Sequence, residues 1–71
     1  MKISYDKECD AMSIIFRETT VTSQRVAEGV ALDFDAEGHL AGIEILDAVR
    51  RFGGGDTLRT VALENVGTQP G

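Results

Sequence analysis

From Gln24 onward the apolar residues Val26, Val30, Leu32 and Phe34 alternate with Arg25, Ala31, Asp33 and Asp35. An acidic turn follows, and Ile43 and Ile45 resume the pattern on the return. A period of two is the signature of a strand with one face turned inward, because successive side chains of an extended chain point to opposite sides. The segment therefore reads as a long β-hairpin. Glu28-Gly29 interrupts the alternation and marks a bulge or a strand break. Leu40 is out of step with Ile43 and Ile45 unless one residue is inserted near Ala41-Gly42, where Gly42 suits a second bulge.

The same stretch also fits a calcium loop. That motif wants acids at positions 1, 3 and 5, glycine at 6 and a bidentate glutamate at 12, and Asp33, Asp35, Glu37, Gly38 and Glu44 stand there. Leu40 falls at position 8, and Glu37 is longer than the usual Asp or Asn. The calcium geometry needs an entering and an exiting helix, however, and both flanks here are strand-like. Asp35-Ala36-Glu37-Gly38 is then a type I turn with Gly38 at positive φ as a G1 bulge. The hairpin is preferred; a divalent-cation site on Asp33, Asp35, Glu37 and Glu44 is the alternative, and in a hairpin those groups need not converge. Asp6, Glu8 and Asp10 repeat the acid spacing, but Ala11 and Arg17 stand where the glycine and the bidentate acid belong.

Elsewhere, Lys2 to Tyr5 and Ala11 to Arg17 alternate as strands, the second with Met12, Ile14 and Phe16 on one face. Glu18 to Ser23 is a loop feeding an edge strand. Asp47 is placed to N-cap a short helical segment, accepting from the amides of Val49 or Arg50, and Gly53 stops it. Asp56 to Asn65 is ambiguous: Val61 and Leu63 alternate, whereas Leu58, Val61 and Ala62 also fit a helix, and the β-branched Thr57, Thr60 and Val61 favour a strand. The expected fold is mainly β (α+β), an antiparallel β-meander of about four or five strands with one short helical segment. Residues 1–66 form a single domain and 67–71 a flexible tail.

At 71 residues the core is marginal, and small domains recover the deficit with disulfides, metal or oligomerisation. Cys9 is the only cysteine, so no intrachain disulfide is available. It also fits a reducing compartment, and no stretch has the apolar length of a signal core or a membrane span, so a cytoplasmic protein is expected. A net charge of -5 opposes nucleic-acid binding and suits a basic protein or a cation. Cys9 and His39 both fall in turns with no orienting third group, so no catalytic set is expected. Gly53-Gly54-Gly55 runs into Asp56-Thr57 rather than a phosphate-loop lysine, and Arg50, Arg51 and Arg59 suit a solvated helix end.

Tyr5-Asp6 with Asp10-Ala11, then Gly29-Val30 to Asp33-Phe34-Asp35, then the run Gly42-Ile43-Glu44-Ile45-Leu46-Asp47-Ala48 together resemble the short prokaryotic proteins of domain of unknown function family 2283. The resemblance spans about residues 1–52. It implies a compact β-rich module and carries no activity, cofactor or catalytic residue with it. The function expected is a non-catalytic module that binds protein or self-associates as a homo-oligomer. The alternatives are the cation site and an antitoxin-like partnership with a small basic protein.

Overall fold

Five strands form one antiparallel sheet, which a computed structural model describes over residues 1–65. The tail expected at 67–71 lies outside the described residues. β1 (Lys2–Asp6) and β2 (Ala11–Ile15) pair as a hairpin. Asp6 closes its turn by accepting the amides of Glu8 and Cys9, and Asp10 ends it in the left-handed region at φ 50°, which aspartate tolerates better than most residues. β3 (Thr22–Ala27), β4 (Val30–Phe34) and β5 (Leu40–Leu46) follow.

The spatial order is β1-β2-β5-β4-β3. β3 to β5 run as a meander, and β2 returns beside β5, which makes β2 to β5 a Greek key. The link across residues 16–21 therefore passes the β4–β5 turn to reach the far edge. It is tied there by Ala41, whose carbonyl accepts the amides of both Phe16 and Arg17.

Both irregularities expected from the alternation are present. The strands break at Glu28-Gly29 as expected, whereas Val26, read in step with Val30, is an inserted residue between the Arg25–Ala31 and Ala27–Val30 pairs and is 53% exposed. In the β4–β5 ladder Asp33 faces Gly42 but Phe34 faces Leu40, so Ala41 is the inserted residue. Gly42 is required beside it: a Cβ there would lie 3.0 Å from the Ile14 carbonyl oxygen and 3.2 Å from an Asp33 carboxylate oxygen.

A short helix, α1 (Ala48–Arg51), follows β5. Gly53, at φ 82°, donates to the Arg50 carbonyl and Gly54 to that of Val49, the paired bonds of a Schellman ending. Asp47 does not cap this helix as expected. It lies in the left-handed region at φ 53°, with no side-chain cap bond, whereas an N-cap needs an extended backbone to turn its carboxylate onto the first amides. The strand favoured for Asp56 to Asn65 does not form either. Gly55–Leu58 is a 3-10 turn, and residues 59–65 are irregular and exposed. The described ladders join β1 to β5 and do not include this segment, and a β-branched preference that depends on packing against a pleated neighbour does not fix a strand alone.

Candidate functional site

The registers assign every strand residue to a face. One cross-strand row reads Tyr5, Met12, Ile45, Val30, Ala27, and the next Ile3, Ile14, Ile43, Leu32, Gln24. Phe34 and Leu40 pair above them. Neither row holds a charged residue. The opposite face carries Ser4, Ser13, Glu44, Ala31 and Arg25 in one row and Lys2, Ile15, Gly42, Asp33 and Ser23 in another.

In a two-layer domain the apolar face would be covered, because a sheet must bury that face against another element. Here it is open. Ile43 stands in the middle strand with a neighbour on each side, yet it and Ile14, Leu32 and Ile45 are only half-buried. Ile3 and Tyr5 are 39% and 38% exposed. Among the described residues the buried apolar side chains are Ala41 and Ala48, and no large side chain is fully enclosed. Helix α1 and the 3-10 turn pack chiefly on each other.

The four acids considered for a cation separate into two groups. Asp33 is buried in the sheet, where the Ser23 hydroxyl donates to its carboxylate. Glu44 lies next to it, and hydrogen bonding to Asp33, followed by desolvation and the Asp33 charge, raises the Glu44 pKa above its ordinary 4.5. Asp35 and Glu37 stand at the turn with His39, each offering a ligand atom, all within 4.8 Å of one another.

Asp35 is already engaged. One carboxylate oxygen accepts the amides of Glu37 at 2.9 Å and His39 at 2.8 Å, and the other accepts the Arg17 guanidinium at 2.5 Å. The His39 imidazole lies 3.5 Å from that second oxygen. The His39 amide is the largest cause holding the Asp35 carboxyl below its ordinary 3.8, against an opposing desolvation. The Gly38 amide donates to the Asp35 carbonyl and the Asp35 amide to that of His39, with Gly38 at φ 86°, which is the type I turn and G1 bulge read from the residues. Asp35 thus clamps the hairpin and, through Arg17, the link that crosses it.

Asp10 holds the other end of the sheet. Its carbonyl accepts the Ala48 amide, and its carboxylate accepts the Val49 amide at 3.1 Å and the Tyr5 hydroxyl at 2.6 Å. The last of these raises the tyrosine pKa. The helix start is thus satisfied from a turn remote in sequence, while Asp47 pairs with Arg50. Local reading missed Arg17, Ser23 and Asp10 as partners, and no spacing could have found them, since each bond joins segments ten or more residues apart. Arg51, which reaches the carbonyls of Leu46 and Glu28, was read only as a solvated end.

Cys9 and His39 lie in turns at opposite ends of the sheet, beyond reach of each other across a strand roughly 17 Å long. Asp6 raises the thiol pKa of Cys9, first by hydrogen bonding and then by its charge, which reduces the thiolate needed for nucleophilic attack. No helix among the described residues is long and apolar enough to cross a membrane.

The sequence model of a family described as "Protein of unknown function (DUF2283)" matches residues 2–48, more than half of the 71. Comparisons with curated proteins and with solved structures find no match. The chain belongs to the DUF2283 family.

Proposed function

We propose that this DUF2283 chain is a non-catalytic binding module and that it recognises protein through the uncharged face of its sheet. The observation that carries this is Ile43, a residue of the central strand that is only half-buried among Ile14, Leu32 and Ile45. Contiguous exposed apolar surface of this kind marks interaction sites on stable proteins. The separation of Cys9 from His39 and the raised thiol pKa argue against nucleophilic catalysis. Asp35, with its oxygens taken by two amides and a guanidinium, has little left to offer a cation.

A basic partner, and with it an antitoxin-like role, would be drawn by the net charge of -5. That charge resides on the opposite face and in the turns, so such a complex would weaken steeply with salt, whereas apolar recognition persists in high salt. A polarity-sensitive fluorophore tests the binding face directly. Under conditions that leave folded single chains, the protein takes up the dye, and Ile43→Glu abolishes uptake without changing the far-UV circular dichroism. A folded single chain that binds no dye would sink the proposal.

A further inference from the structure

The binding face has a natural occupant in a second copy of this chain. Resting on the binding-face proposal, we infer that two chains pack their uncharged faces together, with Ile14, Ile43 and Leu32 at the centre, into a two-layer β-sandwich. Three observations point to a copy rather than a different protein. The first is area. The chain exposes 5630 Å², whereas a folded monomer of 7.6 kDa exposes roughly 4,300 Å². Residues 59–65, all exposed, account for part of that excess of roughly 1,300 Å². The half-buried Ile14, Leu32, Ile43 and Ile45 of the sheet face add to the exposed area, and a stable interface takes about 800 Å² from each partner.

The second observation is charge. Each chain carries -5, so two copies repel unless their acids face away from the contact. The two apolar rows meet that condition, with no charged residue in either. A basic partner, by contrast, would find no acid on this face to pair with. The third is the missing core. Since among the described residues no large side chain is fully buried, the sheet gains from a second layer. A two-fold pair supplies it with identical rows of Ile, Leu and Met, which interdigitate at the usual sheet spacing of about 10 Å.

Sedimentation of the full chain, combined with mild peroxide oxidation, tests this. Met12 lies in the proposed contact, and Met1, 78% exposed, serves as the internal reference. The inference expects a particle of twice 7.6 kDa at micromolar concentration in which Met12 oxidises much more slowly than Met1, with both properties lost together on dilution. Ile43→Glu should weaken the pairing by about 100-fold or more, and Leu46→Lys, on the opposite face, should leave it intact. A single chain with Met12 as reactive as Met1 overturns the second copy but leaves a binding face for another protein. A single folded chain whose Met12, half-buried in this structure, completely resists oxidation overturns both proposals. A dimer with fully reactive Met12 pairs by its strand edges and overturns the sandwich alone. The oxidation measurement uses the unaltered chain, so the test stands even if Ile43→Glu fails to fold.

Discussion

Asp35 is an acid held by two backbone amides and an arginine, and removing its side chain strands all three. Asp35→Ala is expected to cost about 2–3 kcal/mol in urea unfolding. Its folded pKa is lowered below 3.8, so its contribution is present above the unfolded value and is lost as pH falls through the folded one. The gap between the two proteins should accordingly close in acid. Glu44 has the opposite sign. Its folded pKa is raised above 4.5 by Asp33, so the group favours the native state below that pH and loses the advantage as pH rises through the folded value. Glu44→Gln should therefore raise the melting temperature at pH 7, with the gain vanishing below the ordinary glutamate pKa. The spacing of both acids marked them as candidate cation ligands and gave no sign of these roles. Their partners were not, because Arg17 and Ser23 approach them only after the chain has folded back.

Turns and helix ends divide in the same way. Gly38 and Gly53 announce the hairpin closure and the helix stop from residue type alone, since positive φ is costly for other side chains. The start of α1 is misread from sequence, because Asp47 has the composition of a cap but Asp10 performs the role from the turn of the neighbouring strand. Thermal melts can separate them. Asp10→Ala should cost about 1–2 kcal/mol through the lost bonds to Val49 and Tyr5. Asp47→Asn, which keeps a residue that tolerates the left-handed region and removes only an exposed ion pair with Arg50, should cost under about 0.5 kcal/mol. The segment Asp56 to Asn65 shows the limit of propensity. Thr57, Thr60 and Val61 favour extended backbone, yet the segment joins no strand of the described sheet, and that preference depends on packing against a pleated neighbour.

For the molecule as a whole, a sheet open on its apolar face gains stability when that face is covered. If the second layer is another chain, folding and association are one equilibrium, and the melting midpoint should rise with protein concentration; differential scanning calorimetry over a 100-fold range of concentration, roughly, checks this. The sequence by itself determined the extension, the turn and the shared face of the β4–β5 hairpin, from the alternation of Val30, Leu32 and Phe34 and of Ile43 and Ile45 to the turn at Asp35–Gly38. These are properties of neighbouring residues, and local sterics and periodicity encode them. Only the tertiary structure decided that β2 lies against β5, that Asp33 meets Glu44, that Arg17 clamps Asp35 and that nothing within residues 1–65 encloses Ile43. Those depend on backbone bonds between strands far apart in the chain, and a ladder between remote segments leaves no mark on either segment's own residues.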